Sequence, residues 1–371
     1  MRKFNVKYLA KRAVSFPSTA SRIVASPRGE DGRGGPICPQ VKCYEEPPVH
    51  ESGWFTGALS VSFAAVLLLA SIPAAQADGE KIAMFTKNQI NPYFQSMRLG
   101  ADAGAKEMNA SVIHYVPNKP DNIAEQLAEV EDVVTKKPNA VVFIPVDSKA
   151  LVVGMEKLTG AGIPVVNLLD RTKGSASTFV GVSDIDLGID TARVLFKKLN
   201  GKGNVIFLEG VKGALSTQER LTGFKKALEE FPGIKLLASQ TANAQRLMAL
   251  QVMENLLQAH PQVDGVLAAT DSMAMGAIEA LDGANRKALV AAVNGTKEAV
   301  DAIKAGKLLA TGDSSPFMQG CVAAMAAVRA ARKLPLPKEI IFPIKIITAA
   351  DVKAVEENVG KCPKWETMVK N

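Results

Sequence analysis

From Lys81 onward the chain repeats one unit: a short apolar run followed by an amphipathic segment. The apolar runs are rich in Val, Ile, Leu and Ala and measure five or six residues, the length of a buried strand. They predict strands at Lys81–Phe85, Ser111–Val116, Ala140–Ile144, Pro164–Leu168, Thr178–Val182, Asn204–Leu208, Ile234–Ser239, Asp264–Ala268, Ala288–Val293 and Leu308–Gly312. Helical spacing predicts helices at Pro92–Met108, Asn122–Thr135, Lys149–Thr159, Leu187–Leu199, Thr217–Glu230, Ala244–Gln258, Ser272–Leu281, Lys297–Ala305 and Phe317–Arg332. Strands alternating with helices predict parallel sheets covered on both faces. Ten strands are too many for one comfortable open sheet, so the α/β chain is expected to form two doubly wound lobes.

The two halves also echo each other. Pro138–Met155 and Pro261–Gly276 each run from a proline-led turn through a buried strand into Asp-Ser-x-Ala, at Asp147–Ala150 and Asp271–Ala274. Each Asp is a candidate N-cap, because its carboxylate can accept first-turn N–H bonds. For Asp271 a ligand role is an equal alternative.

A different pattern precedes this region. Ser52–Ala77 is uncharged over 26 residues, has an apolar core at Ala58–Ala70 and ends in Ala75-Gln76-Ala77. Small residues at those two alanine positions suit signal peptidase, which predicts export and a mature chain starting near Asp78. A membrane anchor is the rival reading; Pro73 and the Ala-Gln-Ala ending favour cleavage. Residues 1–51 form a leader of doubtful structure, since Glu45, Glu46 and Glu51 replace the usual basic flank.

Charge narrows the function classes. The chain is +7, but residues 1–77 hold nine Lys/Arg and five Asp/Glu, leaving +3 on the remainder. That remainder has no basic stripe to suggest nucleic acid. Cys38 and Cys43 fall in the leader. Cys321 and Cys362 are expected as unpaired packing residues, although export permits a bridge. No GxSxG, HExxH or P-loop motif and no Cys/His cluster is present, so no metal, cofactor or enzymatic activity is expected. His114 and His260 are read as structural. Gly201-Lys202-Gly203 precedes a strand and reads as a turn.

In doubly wound sheets, ligands bind beyond the carboxyl ends of the strands. Those positions carry Asn91, Tyr93, Phe94, Asp147, Asp170, Arg171, Glu209, Arg220, Asp271, Asn294 and Asp313-Ser314. Carboxylates, amides and guanidinium groups can each bond neighbouring hydroxyls, while aromatic faces cover the C–H side of a sugar ring.

These residues carry a resemblance. Asn91–Met97, Gly162–Val165, Asp170-Arg171, Gln218-Glu219-Arg220 with Gly223-Phe224, His260-Pro261, Asp271–Ala277 and Asn294-Gly295-Thr296 resemble, in order, the ribose/galactose-type periplasmic sugar-binding proteins of ABC importers. The resemblance spans about residues 80–347. It implies a periplasmic binding protein type I fold whose two lobes, joined by a hinge of several crossings, close on a ligand. Lobe one would be 78–182 plus 315–343, and lobe two 183–314 plus 344–371. Asn91 would hydrogen-bond the sugar, Tyr93 and Phe94 would stack on it, and Asp170, Arg171 and Arg220 would grip hydroxyls. Asp271, Asn294 and Asp313 complete the candidate set. Ile144, Ala244, Thr270 and Ser314 depart from the family pattern, and Asn294 stands where ribose binders have aspartate, so another pentose, a tetritol or a related polyol is as suitable as ribose. The implied partners are a permease and, as a further reader of the closed form, a chemoreceptor; the protein is expected to be a monomer. The alternatives are a secreted enzyme on the same fold and a LacI-type regulator. The regulator reading rests on a faint helix-turn-helix likeness at Leu9–Ala13 and Pro17–Val24, where the turn lacks glycine and Pro27–Pro39 cannot form the third helix.

Overall fold

The computed structural model describes residues 79–356 and 360–368, which belong to one unit of the chain. The leader, the export segment, its cleavage site and the helix-turn-helix likeness lie outside the described residues. In chain order the first elements are β1 (Lys81–Phe85), α1 (Pro92–Glu107), β2 (Ser111–Tyr115), α2 (Ile123–Lys136), β3 (Ala140–Phe143), α3 (Val152–Gly160), β4 (Val165–Leu168) and β5 (Thr178–Gly181). The chain continues with α4 (Asp184–Lys198), β6 (Lys202–Glu209), α5 (Leu215–Glu230), β7 (Gly233–Thr241), α6 (Arg246–Ala259), β8 (Gly265–Ala268), α7 (Asp271–Gly283), β9 (Leu289–Asn294), α8 (Lys297–Lys304) and β10 (Ala310–Asp313). It ends with α9 (Pro316–Ala331), β11 (Glu339–Ile341), β12 (Lys345–Ile347), α10 (Val352–Glu356) and α11 (Trp365–Met368).

The strands form two six-stranded sheets, in the orders β11-β5-β4-β3-β1-β2 and β12-β10-β9-β8-β6-β7. All pairings are parallel except β10 with β12. Two parallel sheets with packed helices give the two-lobed type I periplasmic binding protein fold. Strands β3, β4, β5 and β8 are buried along their whole length, which explains their mostly apolar sequences, with Asn167 in β4 and Thr178 in β5 the buried polar exceptions.

Strands β11 and β12 escape the sequence pattern because each has only three residues. Glu339 and Ile341 of β11 are exposed, and Pro343 and Lys345 break the stretch that carries the two strands, so neither reads as a buried strand. The C-terminal segment also divides differently from expectation. β12 pairs with β10, and α10 meets α8, on the second sheet's side. Cys362, however, is disulfide-bonded to Cys321 of α9, and Arg329 of α9 lies over the Trp365 ring at 4.8 Å. Since α9 packs on α1, β3, β4 and β5, residues 362–368 lie against the first lobe instead of the second. The two cysteines expected as unpaired are therefore a bridge, because this return of the chain brings their Cα atoms to 5.7 Å.

One close packing contact positions the site. In the α4–α5 pair, a Cβ on Gly223 would collide with the Ile185 carbonyl, and one on Gly188 with Arg220 backbone. Two glycines thus let the backbones approach closely enough for α5 to present Arg220 to the start of α4.

Candidate functional site

Asn91 stops the loop after β1 and starts α1. It sits at φ −87°, ψ 117°, and its Oδ1 accepts the Tyr93 N–H at 3.0 Å, as an N-cap does. Pro92 follows at the first helical position, where its missing N–H costs nothing. The Asn88 side chain accepts the Asn91 N–H at 3.0 Å and fixes the approach. The cap turns Tyr93 and Phe94 inward as an edge-to-face pair, with centroids 5.4 Å apart. Burial pushes the Tyr93 phenol far above its ordinary pKa, so it stays protonated. Its oxygen accepts a bond from Ser314 at 3.2 Å.

Arg220 faces this aromatic pair from α5. It is 2% exposed, and its Nε donates to Asp184 Oδ1 at 2.7 Å. Its Nη1 donates to the Ala269 carbonyl at 2.9 Å and to Asn294 Oδ1 at 2.8 Å. Burial raises the Asp184 pKa to about 6, with the attraction of Arg220 opposing it. Asn294 ends β9 at φ 149°, a conformation strained for a side-chain-bearing residue. Strain held at a strand end beside a buried cation marks a place where the fold gives up local comfort for geometry.

Between these groups lies a cleft of about 370 Å³, its open mouth included. Lys87, Asn88, Asn91, Tyr93, Phe94 and Asp121 line it from the first lobe. Arg220, Asn294, Thr270, Ala244, Thr217 and Ser216 line it from the second. Rings on one side and amide and guanidinium donors on the other suit a small molecule with an apolar face and a rim of hydroxyls. Among the described residues no His/Cys/Asp/Glu group is arranged to hold a metal ion.

Five of the nine sequence candidates line the cleft: Asn91, Tyr93, Phe94, Arg220 and Asn294. The other four do other work. Asp170 is buried behind the lining, in an ion pair with Lys87, and accepts the Ser216 N–H at 2.6 Å. Arg171 turns away, donating to Glu339 at 2.7 Å with its guanidinium 3.6 Å from the Phe179 ring centroid, so here it does not grip the cleft. Asp271 is the first residue of α7, whose N-cap is Thr270. Its carboxylate accepts from Thr296 N–H at 2.8 Å, Thr296 Oγ1 at 2.9 Å and Thr311 Oγ1 at 2.6 Å, tying together the ends of three strands. Burial raises its pKa to about 6. Asp313 accepts the Ser315 N–H at 2.6 Å and shapes the crossing after β10. Asp147 caps a turn, accepting from Lys149 and Ala150 N–H at 2.8 Å each, so α3 starts later than expected.

Lys87, Asn88 and Asp121 are lining residues that sequence reasoning missed. A signal for Lys87 existed, a lysine just past the carboxyl end of an almost wholly apolar strand. Asp121 carries none, since it reaches the site from a turn.

A two-lobed α/β fold with an aromatic and polar cleft between its sheets defines the class: a type I periplasmic binding protein. Residues 82–334 match the family model described as a periplasmic binding protein domain. The chain is 34% identical to the ribose import binding protein of Bacillus subtilis over 260 residues, 70% of this chain and 84% of that one. Among solved structures it resembles an ABC transporter periplasmic solute-binding protein from Actinobacillus succinogenes with bound D-allose. That match has 33% identity and a TM-score of 0.70, covering 74% of this chain and 99% of the other. A solute-binding protein from Bacillus halodurans with bound myo-inositol matches at 26% identity and a TM-score of 0.70, covering 76% and 99%. The chain belongs to the ribose-type periplasmic binding protein family.

Proposed function

We propose that this protein is the periplasmic sugar-binding component of an ABC importer, capturing a monosaccharide or small polyol between its lobes and handing it to a permease. The observation that carries the reading is the pairing across one cleft of the Tyr93–Phe94 edge with the Arg220–Asn294 donor group. The named relatives bind ribose, D-allose and myo-inositol, all small polyhydroxylated molecules. The loss of a stacking aromatic at Ala244 leaves the second lobe's side less filled, which suits ligands other than a flat pentose ring. The work is binding and release without chemistry, and it needs no cofactor. Export would be accompanied by cleavage after Ala77, with loss of 1–77 and a mature start at Asp78, checked by intact mass of periplasmic protein.

A thermal-shift screen of the purified protein against pentoses, hexoses and polyols tests the reading. A ligand at 100 times its Kd stabilises by about 2.7 kcal/mol through mass action. A clear rise for one carbohydrate is the expected result. No rise with any carbohydrate or polyol overturns the sugar reading.

A further inference from the structure

Helices α1 and α9 pack against each other beneath the first lobe's side of the cleft. Asn91 caps α1, and Tyr93 and Phe94 lie in its first turn. Ser314, which donates to the Tyr93 oxygen at 3.2 Å, stands just before α9. The two backbones touch: a Cβ on Gly100 would collide with the Phe317 carbonyl, and one on Gly104 with the Cys321 carbonyl. Polar bonds fasten this seam at its ends. Near the cleft, the wholly buried Gln319 donates its side-chain amide to the Ser314 carbonyl. At the far end Arg332, which closes α9, donates to the Met108 carbonyl, which closes α1, at 2.7 Å. In the middle, at Gly100 and Gly104, α1 offers no side chain to interlock with α9.

The C-terminal tail reaches that middle. Cys362 lies beyond the family match, which ends at residue 334. It is bridged to Cys321 of α9, which is wholly buried, and its sulfur lies 3.9 Å from the Gly100 carbonyl oxygen of α1. The bridge therefore contacts both helices at the seam. Further along α9, the Arg329 guanidinium lies over the Trp365 ring at 4.8 Å, and Trp365 is 9% exposed. Met368 packs on the same core.

We propose that the C-terminal tail, fastened by Cys321–Cys362, braces the α1–α9 seam and so fixes how Tyr93 and Phe94 stand in the cleft. Cys321, Cys362 and Trp365 are positioning residues, acting on the cleft through the two helices. A side chain is held only as precisely as the elements beneath it, so slack between α1 and α9 becomes misplacement of the rings. The brace also makes this wall sensitive to redox state. A dithiol gives the bridge two electrons and two protons, yielding two thiols, and itself closes to a disulfide. The reduced tail then loses its covalent hold over Gly100. The consequence for capture rests on the function proposed above: carbohydrate affinity falls when the bridge opens, although no direct ligand contact is removed.

The test reads the wall itself and needs no identified ligand. Full-length oxidised wild type and Cys362→Ser are compared by amide hydrogen exchange and by fluorine NMR with 3-fluorotyrosine in place of tyrosine. The chain has four tyrosines, of which Tyr93 is in the wall and Tyr115 on β2 serves as the control. Tyr93→Phe and Tyr115→Phe assign their signals. Local opening of a helix sets its exchange rate, so a loosened seam should raise exchange in α1 and α9 by about tenfold, with α5 and α7 of the second lobe unchanged. The Tyr93 signal should shift or broaden while that of Tyr115 holds still. Faster exchange confined to residues 345–371 would make the bridge a fastener of the tail alone and overturn the proposal. An unmoved Tyr93 signal, or equal acceleration in both lobes, overturns it too. If Cys362→Ser does not fold, wild type reduced with dithiothreitol after folding decides by the same criteria. A failed carbohydrate screen would leave this result standing.

Discussion

Replacing Arg220 by methionine isolates the electrostatics of the second lobe's floor. In the wild type, Asp184 is buried with a pKa of about 6, against an ordinary 3.8. A carboxyl group with a raised folded pKa binds its proton more tightly when folded. Its contribution to stability is therefore fully present below pH 3.8 and is lost as pH rises through about 6. The gap of about two pH units corresponds to roughly 3 kcal/mol, already carried by the wild type at neutral pH. Arg220→Met removes the guanidinium that donates to Asp184 at 2.7 Å and pushes the Asp184 pKa further up. At pH 7.5 the lone buried carboxylate should destabilise the protein by about 3–5 kcal/mol. For a folded region of this size that is a fall in Tm of roughly 5–8 °C. At pH 5 Asp184 is largely protonated in both proteins, so the difference should shrink to less than half. Melting curves at the two pH values check this, and the Arg220→Met/Asp184→Leu double variant should recover most of the loss at pH 7.5. A penalty equal at both pH values, or larger at pH 5, would refute the argument, because the loss would then come from packing alone.

Two further outcomes follow from the packing. Phe94→Ala should weaken carbohydrate binding by about 2–3 kcal/mol, provided the ligand desolvates the ring; calorimetry checks it, and unchanged affinity with a lower Tm would make Phe94 a core residue only. Cys362→Ser should remove about 4 kcal/mol of loop-closure stabilisation, given the 41-residue separation from Cys321; a matched fall in Tm for the reduced wild type checks it, and no fall would mean that the contacts around Trp365 hold the C-terminal segment unaided.

Much of the architecture was legible in the residue order. Buried parallel strands are apolar along nearly their whole length, so β3 and β8, and β1 after Lys81, announce themselves, and Asn91-Pro92 marks the start of α1 by cap chemistry alone. Local pattern also placed Tyr93, Phe94 and Arg220 in helices that follow strands, and Asn294 at a strand end, on the side where a doubly wound sheet opens to its ligand. What each polar residue does there was decided elsewhere. Asp170 and Arg171 are neighbours in sequence, yet one is buried between Lys87 and Ser216 while the other lies on the surface beside Glu339. Asp271 looks like a ligand residue or a cap until Thr296 and Thr311 arrive from β9 and β10 to claim its carboxylate. The Cys321–Cys362 bridge likewise depends on where the chain returns. Secondary structure follows from spacing and capping within a few residues. The partner of a buried charge follows from desolvation, which presses each such group onto whatever complementary atom the tertiary fold brings within reach, however distant in sequence.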